Sequence, residues 1–169
     1  MNSSALALPA NRPQKNAGDA YLKFQLAPKT PAVFSMRYVQ EAIILPTRRL
    51  TPMPNMPSPM LGLTNRRSRV FWVVDLAQML GIAALDANVQ QYTLILMQVG
   101  SVPLGLAIQQ VKGIAWFHPD AVQSPLRQVT TALVPYLRGC ILQQHEQLQE
   151  ILLVLDAEAI VQSPILRSI

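Results

Sequence analysis

The feature that most constrains this chain is a period of two. Leu22, Phe24 and Leu26 alternate with Lys23 and Gln25. That spacing puts every second side chain on one face, as a half-buried strand requires and a helix does not. Further short apolar runs follow at residues 32–36, 42–45, 60–64, 70–74, 92–99, 102–111, 113–117, 139–143 and 148–155. Polar turns separate them. Asn65-Arg66-Arg67-Ser68 joins one pair, Gly100-Ser101 makes a tight hairpin, and His145-Glu146 lies inside the last pair. No helical period is sustained, and strands do not alternate with helices as a parallel sheet needs. The pattern predicts an all-β barrel or sandwich.

Helix is confined to short pieces. Residues 37–40 fit one helical turn. Asp75 is placed to cap a helix over 76–80, with Gly81 as its stop, and Asp156 to cap one over 157–161. Pro46, Pro52, Pro54, Pro57 and Pro59 make residues 46–59 an irregular connection, because proline lacks the ladder donor. Met53 and Met56 are placed to fill gaps beneath it. Residues 1–19 lack core-forming periodicity and read as a flexible tail, leaving 20–169 as the folded unit. The expected core includes Leu22, Phe24, Leu26, Val73, Leu94, Leu96, Leu106, Ile108, Leu153 and Leu155.

Composition narrows the function classes. Half of the 169 residues are hydrophobic and only 14% are charged, which supplies a core and leaves apolar surface for a partner. No run approaches the length of a membrane-spanning helix, and residues 1–8 lack the basic start of a secretion signal, so a cytoplasmic protein with no direct membrane insertion is expected. Cys140 is the lone cysteine and sits in an apolar run, as a small buried hydrophobe would. The net charge is +5, but Arg66, Arg67 and Arg69 are the one tight basic cluster and no aromatic ladder is interleaved with them.

Reactive groups do not converge. His118 and His145 are far apart, and neither has a second ligand at metal-site spacing. There is no phosphate-cradling glycine loop and no nucleophile elbow. Asp156 and Glu158 at i, i+2 would not face the same way on a helix. Glu146 and Glu150 read as solvated charges. Catalysis and a cofactor are not expected.

One stretch resembles a known family. Pro54-x-x-Pro57 leads into Gly62-Leu63-Thr64-Asn65-Arg66-Arg67, then Val73-Val74-Asp75-Leu76. This is similar to the CheW-like pattern of Pro-x-x-Pro, a Gly-Val-Ile-Asn-Leu-Arg-Gly turn and Pro-Val-Ile-Asp-Leu. Phe24-x-Leu26, Val39-Gln40-Glu41-x-Ile43, Gly105-Leu106-x-Ile108-x-x-Val111, Tyr136-Leu137-x-Gly139 and Leu155-Asp156 resemble further family elements in order, so the likeness spans about residues 20–162. Departures are Arg66 for Leu, Ser68 for Gly, Trp72 for Pro and Gln109 for Asp. Losing that glycine bears on the turn, since serine is strained wherever φ must be positive.

The resemblance implies two five-stranded, SH3-like β-barrel subdomains with a few short helices and a groove between them. It implies a non-enzymatic adaptor for chemotaxis or pilus-motility signalling. The partners would be the cytoplasmic tip of a methyl-accepting receptor and the regulatory domain of a CheA-type histidine kinase. By position, Val39, Arg67 and Val111 would face the receptor, with Arg67 at the mouth of the groove, and Glu41 and Ile43 would lie towards the kinase. Read without the family, Val39 and Val111 are ordinary core residues and Arg67 a solvated turn charge. The competing reading is a basic β-barrel that binds nucleic acid through Arg66–Arg69; the scattered charge argues against it, and no nucleic acid is expected among the partners.

Overall fold

The near-continuous apolar run at residues 92–99 has no polar face, and the computed structural model shows why: both of its faces are covered. The structure describes residues 4–6, 18–86, 88–124 and 129–167. The strands are β1 (Ser4–Ala5), β2 (Asp19–Ala27), β3 (Thr30–Ser35), β4 (Val39–Pro46), β5 (Met60–Arg66), β6 (Arg69–Asp75), β7 (Gln91–Val99), β8 (Val102–Ile108), β9 (Gln110–Phe117), β10 (Leu137–His145) and β11 (Leu148–Leu155). The helices are α1 (Leu76–Met79), α2 (Ala157–Val161) and α3 (Pro164–Arg167). The first sheet runs β1-β4-β7-β8-β6-β5 and the second β10-β11-β3-β2-β9.

Each sheet buries two faces. In β7, Leu94 and Leu96 join Ile43, Leu45, Phe71, Val73 and Ala107 inside the first sheet. Ile95, Met97 and Val99 turn the other way, into the central core. That core takes Leu22, Phe24, Leu26, Ala32 and Phe34 from the second sheet, whose own interior holds Val33, Ile141, Leu152 and Val154. The all-β, two-subdomain expectation holds, with five long strands per sheet and the short β1 added to the first.

Both sheets curl until the chain beyond one edge strand meets the opposite edge. The segment after β4 bridges β5 at Thr51 and Leu63, and the segment after β9 bridges β10 at Gln123 and Cys140. Glycine makes both closures possible. A Cβ on Gly62 (φ 145°) would stand 2.3 Å from the Thr51 carbonyl oxygen, and one on Gly139 (φ 154°) 2.2 Å from that of Gln123. A side chain is excluded at both positions.

The subdomains are intertwined, because the chain passes to the first sheet between β3 and β4 and returns between β8 and β9. The return takes one residue: the Gln109 N–H donates to the Gln25 carbonyl. The single strand expected over 102–111 is therefore two strands in different sheets, and the run expected over 113–117 is the rest of the second. The helical turn expected at 37–40 is a non-helical turn that ends where β4 begins at Val39.

The caps form as expected. The Asp75 and Asp156 carboxylates accept from the N–H groups of Gln78 and Ala159, and Gly81 has φ 74°. Nine of the ten expected core residues are buried; Leu153 is half-buried, where the central core opens beside Lys29, Val129 and Ile151. Met56 packs on the core, whereas Met53 is exposed. The tail expected over 1–19 falls mostly on residues outside those described, but Ser4–Ala5 pair with β4 and Asp19 opens β2.

Candidate functional site

The turn between β5 and β6 carries the arginine cluster. Arg66 and Arg69 form the last strand pair, so Arg67 and Ser68 are the two turn residues. Both have positive φ, 54° and 64°. This is the backbone of a two-residue hairpin turn that suits the twist of the strands and favours Asn-Gly. The hairpin keeps that turn without a glycine, and its tip is strained.

The turn brings the arginines to β4. Arg66 donates from Nε (3.1 Å) and Nη2 (2.6 Å) to Glu41 Oε1, with both side chains 19% exposed. Arg67 Nη2 lies 3.6 Å from Glu41 Oε2, but its side chain is 75% exposed. Arg69 donates to Gln98 Oε1 at 2.6 Å. One carboxylate thus pairs with two guanidinium groups, and of these Arg67 faces outward. Beneath lies a pocket of about 240 Å³ lined also by Gln40, Phe71 and Leu96. Phe71 and Leu96 belong to the interior of the first sheet, so Arg67 stands over the end of that barrel.

Val39 is two residues before Glu41, and a register shift between them turns Val39 to the central core. Pairing makes Val39, Met97, Leu104 and Trp72 a row across β4, β7, β8 and β6. At the far end of the row, an apolar groove of about 500 Å³ runs between Trp72, Val102, Pro103 and Leu104 on one side and Val161, Leu166 and Arg167 on the other. Val70 and Val102 extend the apolar surface into solvent. Sequence reasoning missed this groove; the one signal was Trp72, an aromatic where the resembled pattern has proline.

Val111 lies in β9 of the second sheet, opposite Phe24 and half-buried against the same central core as Val39. Val39, Glu41 and Arg67 therefore share one neighbourhood, and Val111 joins them only through the core. Ile43 does not belong to a surface site. It is 0% exposed in the interior of the first sheet, because alternation along β4 turns it inward.

Other charged groups are engaged elsewhere. Glu150 is not simply solvated but pairs with Lys23 at 2.9 Å. The Tyr38 hydroxyl donates to Glu158 Oε1 at 2.8 Å, and that bond to the neutral phenol raises its pKa. Cys140 is buried. Among the described residues no group of three or more His, Cys, Asp or Glu gathers in metal-binding geometry.

The β-fold and the residues at the turn can be set beside known proteins. A protein-family model described as a CheW-like domain matches residues 20–164. This chain belongs to the CheW-like family. CheW-like proteins are chemotaxis scaffolds and signal-transduction adaptors, and the chain is assigned to that class. The crystal structure of the scaffolding protein TtCheW from Thermoanaerobacter tengcongensis superposes with a TM-score of 0.72 at 17% identity, covering 87% of this chain and 94% of that one. It shares the CheW fold. No curated protein sequence matches this chain.

Proposed function

We propose that this CheW-like chain couples the cytoplasmic tip of a chemoreceptor-type sensor to the regulatory domain of a CheA-type histidine kinase, without catalysing a reaction. The observation that carries this reading is Arg67. Its side chain is 75% exposed, set on a strained turn, and its guanidinium is held by Glu41 only at 3.6 Å. A guanidinium in that setting offers several donors in a planar fork to a carboxylate or carbonyl of a partner. Arg66 fixes Glu41 beneath it, so the local backbone is ordered before any partner arrives.

The receptor face in this reading is built from Val39 and Arg67, with Val111 across the central core. The apolar groove at Trp72 and Leu104 lies along the same row as Val39 and suits the apolar stripe of a helical partner. Glu41 stands between that face and the interior of β4. Of the two residues assigned to the kinase side, Glu41 is only partly exposed and held by Arg66, whereas Ile43 contributes only as part of the core. The compartment this function requires is the cytoplasm, where receptor tips and kinases meet.

The test is a titration of the full chain against an isolated receptor tip and, separately, against a kinase regulatory domain. Saturable binding of both, and a ternary complex when all three are mixed, is the expected result. Binding to heparin and single-stranded DNA, falling steeply with salt, with neither protein partner bound, would instead identify the basic turn as a phosphate site.

A further inference from the structure

The outer edge of β4 accepts a strand from outside the CheW-like region. Ser4 pairs with Ile44 and Ala5 with Ile43, antiparallel, and the Leu6 N–H donates to the Ala42 carbonyl at 2.8 Å. Without this segment β4 would be the bare end of the first sheet. Such an edge presents a row of unpaired donors and acceptors and is a template for another strand.

The hold on the segment is nearly all backbone. Ser4 and Ala5 are exposed and Leu6 is half-buried, so little apolar area anchors it. Ordering its residues opposes its few hydrogen bonds by a similar amount. Residues 7–18 separate it from β2, and a linker of that length spans up to roughly 40 Å when extended. Backbone pairing of this kind does not depend on which copy of the chain donates the strand.

We propose that Ser4–Leu6 is an exchangeable arm, and that the β4 edge receives the same segment from a second copy of this chain. The sequence that fits the edge is present in every copy. Reciprocal exchange leaves no edge open and closes as a two-fold pair. A short covalent tether gives the chain's own arm an effective concentration in the millimolar range, so exchange belongs to concentrated copies and not to dilute ones. The acceptor residues Ala42 and Ile44 flank the core position Ile43 and follow Glu41. Arm exchange would therefore link adaptors side by side next to the arginine turn. This inference stands whether or not the receptor and kinase assignments hold.

The test uses full-length chains with Cys140→Ala as background. Ser4→Cys and Ile44→Cys chains are mixed at high concentration under mild oxidation. A heterodimer disulfide on the order of tenfold above that of a Ser4→Cys and Ser101→Cys mixture is expected, because exchange supplies the effective concentration at Ile44 alone. The double variant Ser4→Cys/Ile44→Cys should close within one chain when dilute. In parallel, and without any cysteine change, deletion of residues 1–6 should lower the dimer fraction measured by sedimentation at high concentration. Intrachain closure with mixtures at the control level, or no disulfide in either arrangement, overturns the proposal. So does identical sedimentation of the deleted and full-length chains.

Discussion

Glu41 holds two arginines of unequal worth, and the inequality can be measured. Arg66 makes two charge-assisted hydrogen bonds to one oxygen, with both partners only 19% exposed. A charged hydrogen bond contributes about 1.5–3 kcal/mol when well sheltered, and an exposed ion pair about 0–1 kcal/mol. Partial shelter puts the Glu41–Arg66 coupling at about 1.5–2 kcal/mol on those limits. Arg67 sits 3.6 Å away and is 75% exposed. Its coupling to Glu41 should fall below about 0.5 kcal/mol and vanish in high salt. Double-mutant cycles of Glu41→Gln with Arg66→Met and with Arg67→Met, read by urea unfolding, separate the two terms. Equal couplings, or no coupling to Arg66, would refute the view that Arg66 anchors the carboxylate and leaves Arg67 for a partner.

Phe24→Ala should destabilise the fold by about 3–5 kcal/mol in the same assay, since Phe24 is fully buried and its ring centroid lies 5.4 Å from that of Phe34; a loss near zero would place β2 out of phase. Ser68→Gly should raise stability by about 0.5–1 kcal/mol, because glycine adopts φ 64° without the strain of a side chain. Glu158→Gln should lower the Tyr38 titration midpoint, followed by NMR of the tyrosine ring carbon. The folded state favours the protonated phenol, chiefly through the Glu158 bond, so its contribution is present below the unfolded pKa and is lost as pH rises through the raised folded one.

What was legible in the sequence was local. Alternation at Leu22, Phe24 and Leu26 set the phase of β2, and the aspartate caps and Gly81 placed two helices. What was not legible depended on distance. Nothing in residues 102–111 marks Gln109 as the crossing between sheets, because it alone separates the end of β8 from the start of β9 and no turn signal lies between them. Ile43 lies in the apolar run of residues 42–45, where no polar residue marks the outer face, and only the folded sheet shows which positions of that alternation point inward. The ties of Glu41 to Arg66 and of Lys23 to Glu150 join residues 25 and 127 positions apart, and no spacing rule reaches them. The groove beside Trp72 needs α2 and α3 folded back over the first sheet, and no sustained helical period marks α3.

The central claim is that the β5–β6 turn presents a receptor-facing arginine on an intact adaptor. Arg67→Ala tests it most directly, titrated in parallel against a receptor tip and a kinase regulatory domain. The fold should be nearly unchanged, since an exposed turn arginine carries little stability. Receptor binding should weaken by about 1–3 kcal/mol while kinase binding changes much less. Equal losses in both titrations, or no loss in either, would contradict the account.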